Sequence, residues 1–181
     1  MTPTEQLLSF TGTLSFDGKS VVLNYNRLIS YITDQNTPAK KRESFIKQLE
    51  RIPEHVVTDL NMEPELLYFQ RDGDRYLIRT RGPGRYNDHL LSLEGSERLL
   101  SAYSGTNPTG YYVSLVRGNG GNFTVENTLT DQHTIYILAG GRRHLYNYRL
   151  PGFSAAFTDE YEEDLELAAF QLTIIDRNVA P

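Results

Sequence analysis

Four times along this chain, glycine-containing turn residues stand between two short β-rich runs, and that pattern constrains the fold more than any other feature of the sequence. A tight turn between antiparallel strands needs backbone with positive φ, which Asp-Gly, Asn-Gly and Gly-Gly supply. Leu14-Ser15-Phe16 and Ser20-Val21-Val22-Leu23 flank Asp17-Gly18, and Leu67-Tyr68-Phe69-Gln70 and Arg75-Tyr76-Leu77-Ile78 flank Asp72-Gly73. Tyr111 to Val116 meets Asn122 to Val125 across Gly118-Asn119-Gly120-Gly121, and Thr134 to Leu138 meets His144 to Tyr148 across Gly140-Gly141. The expected fold is mainly β: an antiparallel β-barrel or β-sandwich of about eight to ten strands.

Two helices are expected within it. Thr37 can cap a helix with Pro38 at its first position, and Phe45, Ile46 and Leu49 then share one face until Pro53 ends the run, which predicts three to four turns packed on the sheet. A shorter helix is expected near 96–104, capped by Ser96, burying Leu99, Leu100 and Tyr103 and stopped by Gly105. At the carboxyl end, Ala168, Phe170, Leu172 and Ile174 alternate against Leu167, Ala169, Gln171 and Thr173. This predicts an acidic loop over Asp159 to Asp164 and a last strand over Leu165 to Asp176. The 181 residues, without Pro/Ser linker or internal repeat, are read as one domain, 1–60 being hairpin plus helix and 61–181 the β-rich body.

Composition bounds the chemistry. With 39% hydrophobic and 23% charged residues the chain can build an ordinary core. The absence of cysteine excludes disulfides, thiolate zinc sites, iron–sulfur clusters and thiol catalysis. No apolar run approaches the length needed to cross a bilayer, and the residues after Met1 lack a secretion signal, so neither membrane contact nor export is expected. The charge is unevenly spread: without Asp159, Glu160, Glu162, Glu163, Asp164 and Glu166 the formal charge of −5 becomes +1. Arg71, Arg75, Arg79, Arg81 and Arg85 face only Asp72 and Asp74. Hydrated surface explains such patches in most proteins, but an acidic loop and a basic face on one chain can also pair between copies.

Catalytic patterns are scarce. His55, His89, His133 and His144 include no i, i+4 pair that would give two metal ligands on one helix face, and no metal or cofactor is expected. The glycines at 118–121 lack a following helix to complete a phosphate loop, and no Gly-x-Ser-x-Gly elbow is present. An enzyme would have to gather distant groups, for instance His133, His144 and Asp159. The basic and aromatic residues Arg75, Tyr76, Arg79, Arg81, Arg85, Arg142, Arg143, Tyr146 and Tyr148 could offer Arg to phosphates and Tyr to bases, as single-strand nucleic-acid binders do. A small-ligand binding barrel belongs to the same alternative, while tyrosine is also simply a good strand residue.

From Ser96 onward the order of elements is similar to another pattern. Glu97 to Tyr103, read as a short helix, precedes Tyr111-Tyr112-Val113-Ser114-Leu115; then come Tyr148-Arg149-Leu150-Pro151-Gly152-Phe153-Ser154-Ala155-Ala156-Phe157, the acidic loop and Ala168 to Ile174. This layout of strand, glycine-centred bend, small-residue strand and closing amphipathic strand resembles the phage tail-tube family, including the Hcp-like tubes of type VI secretion. The likeness covers about 80 residues of the carboxyl half and implies a non-enzymatic virion structural protein: a tail tube, tail terminator or baseplate-like component that self-assembles or docks onto rings. Its partners would be copies of itself and other tail proteins, with transient contact with DNA, in the virion or in the host cytoplasm during assembly. The acidic residues Asp159, Glu160, Glu162, Glu163 and Asp164 are then the candidate interface.

Overall fold

The computed structural model describes residues 2–116, 123–150 and 155–181. It is mainly β, with one extended system of antiparallel strands. In chain order the elements are α1 (Pro3–Leu7), β1 (Phe10–Phe16), β2 (Lys19–Leu23), α2 (Asn24–Thr33), α3 (Ala39–Arg51), β3 (Val56–Asp59), β4 (Leu67–Asp72), β5 (Arg75–Thr80), β6 (Leu90–Glu94) and β7 (Leu99–Tyr103). They continue as β8 (Tyr112–Leu115), β9 (Gln132–Ala139), β10 (Arg143–His144), β11 (Tyr146–Tyr148), β12 (Ala156–Thr158), β13 (Glu166–Leu167) and β14 (Ala169–Arg177), with 3-10 turns at Val125–Asn127 and Gly140–Arg142.

The pairing closes on itself. It runs from β1 through β2, β3, β12, β7, β6, β5 and β4 and returns to β1. β2 meets the carboxyl end of one edge of β1 and β4 the amino end, while β14 covers the opposite edge from Phe10 to Ser15. Beyond β14 lies β9, which also carries β8 and β10. Alternation sends Phe10, Leu14 and Phe16 of β1 and Phe170, Leu172 and Ile174 of β14 into the core. Phe10 stacks on Phe69 at 4.6 Å with Tyr76 and Phe123 edge-on, and Phe157 lies 4.8 Å from Phe170 and 5.6 Å from Phe16. Gly12 sits at an irregularity in the β1–β14 register, where a Cβ would lie 2.8 Å from the Thr173 carbonyl oxygen.

The Asp17-Gly18 hairpin forms as expected, with φ of 51° and 70° at the two turn residues and Phe16 opposite Lys19. The second hairpin turns one residue later. Asp72 pairs with Arg75, so Gly73 (φ 59°) and Asp74 make the turn. Gly140, Gly141 and Arg142 connect β9 to β10, Gly141 and Arg142 both having positive φ. The Gly118–Gly121 turn lies outside the described residues, and its expected second arm differs from expectation. Phe123 donates its N–H to the Val113 oxygen at 2.7 Å, a 3-10 turn follows, and the strand that pairs with β8 is β9.

The short helix expected near 96–104 is instead strand β7. Glu94 pairs with Leu99 across a four-residue turn in which Gly95 and Arg98 take φ of 75° and 46°. Leu99, Leu100, Ser101 and Ala102 are all buried; β6 pairs along one edge of the run, and on the other Leu99 pairs with Thr158 of β12, Ser101 bridges His55 and the Ala102 N–H reaches the Glu54 oxygen at 2.8 Å, so the run is satisfied as strand.

α3 occupies the expected span, but Thr37 does not cap it; Pro38 is the N-cap and has no side-chain cap bond. Its main support is α2, a helix without a local start signal, and not the sheet. The first N–H groups of α2 are taken by distant carbonyls, Asn24 by His55 and Tyr25 by Pro53, both at 2.8 Å. Phe45 of α3 stacks on Tyr31 of α2 at 5.3 Å, and Ile46 stays 42% exposed.

Candidate functional site

The expected acidic loop has a buried root. Asp159 follows β12 directly and its carboxylate is fully covered: Arg98 binds both oxygens, Nε at 2.6 Å and Nη2 at 3.0 Å, and Arg143 Nη2 lies 2.7 Å away. The neighbouring Thr158 hydroxyl donates to the Glu97 carbonyl at 2.8 Å and accepts the Glu160 N–H at 3.1 Å. The run of six acids therefore does not behave as one hydrated patch. Asp159 is a structural anchor, while Glu160, Tyr161, Glu162, Glu163 and Asp164 are exposed, and among the described residues none of these acids forms an ion pair. A turn from Glu162 to Leu165, closed by a 3.0 Å backbone bond, folds the tip back toward β13.

The basic and aromatic residues do not form one continuous face. Tyr76 points into the core at 1% exposure, so it has no ring to offer a base. Arg79 and Arg81 share Asp88 at 3.9 Å, and Arg81 lies over the Tyr68 ring. Arg85 covers Tyr25 and Tyr86, Arg142 covers Tyr112, and Arg75 stands beside Asp74 at 3.7 Å. Arg143 and Tyr146 belong with the acidic loop: Arg143 holds Asp159, and the Tyr146 ring meets the exposed Tyr161 edge-on at 5.6 Å. Tyr148 pairs with Ala156 on β12, beside that same root. The structure thus joins part of the basic set to the acidic loop within one molecule.

The histidines are dispersed. His133 is the second residue of β9, and His144 pairs with Leu138 five residues on, about 17 Å away at the strand rise. His55 Nδ1 contacts the Ser101 hydroxyl at 3.0 Å, and burial lowers its affinity for a proton. Among the described residues no three His, Asp or Glu side chains come together as a metal site.

Sequence reasoning did not single out two buried carboxylates. Asp59 accepts from Arg27 Nε at 2.9 Å, from the Tyr31 hydroxyl at 2.9 Å and from the Asn61 N–H at 2.8 Å, tying α2 to the end of β3. Glu65 lies at the inner wall of a cleft of about 450 Å³ between α2, the 62–66 segment and Gly82-Pro83. Asn26 Nδ2 donates to its Oε2 at 2.9 Å. Burial holds the Glu65 carboxyl above its ordinary range, with Asn26 and the backbone N–H groups of Leu23 and Gly82 opposing the shift. A Cβ at Gly82 would collide with Glu65 Oε1, so only glycine leaves the carboxyl its place. The Gly82-Pro83-Gly84 loop was the only local sign of this site, and it reads equally well as a plain surface turn.

Comparison with known protein families, with curated proteins and with solved structures gives no match to this chain.

Proposed function

We propose that this chain is a non-enzymatic structural protein of a phage-type particle or tail-like machine, a tube, terminator or baseplate-like component that self-assembles or docks onto neighbouring rings through its acidic loop. The construction of that loop carries the reading. Tyr161 is 70% exposed among Glu160, Glu162, Glu163 and Asp164, while the loop's first residue is clamped between Arg98 and Arg143. A loop fixed at its root loses less conformational entropy when it docks. Exposed tyrosine is a favoured interface anchor, and unpaired acids steer the approach of a basic surface and set its register. The likeness of the closing strands to the tail-tube layout supports this class of particle, although Glu97 to Tyr103 contributes strand β7 instead of a helix and the glycine-centred bend at Gly152 lies outside the described residues. The nucleic-acid alternative requires arginines and free tyrosine faces on one continuous surface; Tyr76 is buried, and Tyr25, Tyr86 and Tyr112 already lie under Arg85 and Arg142, which favours assembly over it.

The test is charge reversal with Glu162→Lys, Glu163→Lys and Asp164→Lys together, read by sedimentation velocity and negative-stain electron microscopy across protein and salt concentration. Wild-type chain is expected to form rings or tubes. The reversed variant should need at least about tenfold more protein to assemble, with an unchanged urea midpoint. Equal assembly by the two proteins would remove the loop from the interface, and a wild-type chain that stays monomeric at every concentration would remove self-assembly.

A further inference from the structure

The Glu65 cleft stands apart from the acidic loop and has its own chemistry. Its walls are mainly apolar, with Val22, Ile29, Met62, Pro64, Leu66 and Pro83 lining about 450 Å³, within the size range of small-ligand sites. The charged residues that line it are both acids, Glu65 within and Glu63 exposed. The arginines flanking the adjoining loop are engaged elsewhere. The Arg81 guanidinium lies 4.7 Å from the Tyr68 ring centroid, and that of Arg85 lies over Tyr25 and Tyr86.

A carboxylate offers about four acceptor positions. Glu65 has one donor within hydrogen-bond distance, the Asn26 amide at 2.9 Å, with the Leu23 and Gly82 N–H groups lowering its carboxyl pKa from nearby. Acceptor capacity therefore remains for a group in the cleft. Behind the carboxyl, the core holds a space of only about 10 Å³ lined by Val21, Val22, Leu23, Val56, Leu67, Thr80 and Leu91, which brings no cationic group to Glu65. With no Lys, Arg or His among the described residues lining either space, a charged Glu65 is left to be compensated by a group entering from the cleft.

We infer that this cleft binds a primary alkylammonium group, with the apolar walls taking a linear alkyl stem and Glu65 taking the cationic head. Two sources supply that chemistry: a free aliphatic amine, and a lysine side chain of a partner protein. An anionic ligand would face two carboxylates, and a neutral alcohol would leave Glu65 without a counter-charge.

The test is a titration of the isotope-labelled chain, followed by backbone amide shifts, with n-pentylammonium, 1-pentanol, pentanoate and capped lysine (N-acetyl-lysine N-methylamide). Pentylammonium is expected to move the amides of Asn26, Ile29, Leu66 and Gly82 and to bind at least about tenfold more tightly than pentanol, with pentanoate producing no shift. Capped lysine moving the same amides assigns the cleft to a partner's side chain. Pentylammonium alone doing so assigns it to a free amine. Glu65→Gln should abolish the preference for the ammonium over the alcohol. Because that change also disturbs buried hydrogen bonds, Ser30→Phe provides an independent check: it fills the cleft from an exposed position on α2 and should block binding while leaving the fold intact. Equal binding of pentanol and pentylammonium, shifts confined to other residues, or binding that survives Ser30→Phe would each overturn the inference.

Discussion

Asp159 and His55 show how a single buried group couples this surface to stability. Asp159 has no exposed side-chain area, whereas the side chains of Arg98 and Arg143 are 33% and 51% exposed, so water recovers part of any pairing they lose. Asp159→Asn is expected to lower stability by about 2–3 kcal/mol, less than the roughly 3–5 kcal/mol of breaking a fully buried pair, as measured by urea unfolding. A loss below about 0.5 kcal/mol would mean that the loop root is not held by this charge. Burial holds the His55 imidazole below its ordinary 6.5, Glu54 and Glu97 opposing it, and burial shifts His144 the same way. Protons then bind the unfolded chain more readily than the folded one, so the stability tied to these groups is complete above about pH 6.5 and falls as the pH drops below it. Glu65, shifted upward by burial, acts in the opposite sense: its share of stability is present at low pH and is lost as the pH rises past the ordinary carboxyl range. The His55 share is isolated by comparing wild type with His55→Gln at about pH 7.5 and about pH 5.5, where the variant should lose less stability on acidification. An equal loss in both would assign the effect to other groups.

The layer formed by α2 and α3 depends on a small set of contacts. α3 has no fully buried side chain, and Phe45 reaches Tyr31 while the Arg27 guanidinium lies 5.5 Å and 5.8 Å from the two ring centroids. Phe45→Ala is expected to cost about 1–3 kcal/mol and to speed amide exchange in α3, with β1 and β14 keeping their protection. Uniform loss of protection would instead make α3 part of the main cooperative unit. These elements also show where the sequence was legible. The Asp17-Gly18 turn and most of the last strand could be read because their signals are local: two residues with positive φ, and strict alternation; the expected strand over 165–176 breaks at Ala168, where β13 turns to β11 and β14 to β1 and β9. The span of α3 followed from its spacing of apolar residues. β7 could not be read, since the run from Leu99 to Tyr103 is short and apolar, and β6 and β12 decide its conformation from outside. α2 was equally hidden, because carbonyls of Pro53 and His55 do the work of a cap. The same limit applied to the sites. The acids after Thr158 were visible as a run, but only Arg98 and Arg143 distinguish Asp159 from its neighbours, and Glu65 acquires its character from Asn26 and Gly82, neither adjacent to it in sequence.

At the scale of the whole molecule, β1 is the strand on which the pairing converges, with β2 and β4 on one edge and β14 on the other. Residues near the chain ends reinforce that convergence: Tyr68 donates its hydroxyl to the Val179 oxygen at 3.0 Å, and the Val179 N–H reaches the Ser9 oxygen at 3.2 Å. Phe10 pairs with Arg177, so one edge of β1 is satisfied by the last strand in the sequence. On a ribosome that strand emerges after β1 to β13. Until it does, β1 presents a full edge of unpaired N–H and C=O groups with Phe10, Leu14 and Phe16 beside them, and closing so long a loop makes that pairing slow. The growing chain therefore passes through a period in which its central strand is open to any other extended segment, so its synthesis favours conditions in which another copy cannot reach that edge before β14 does.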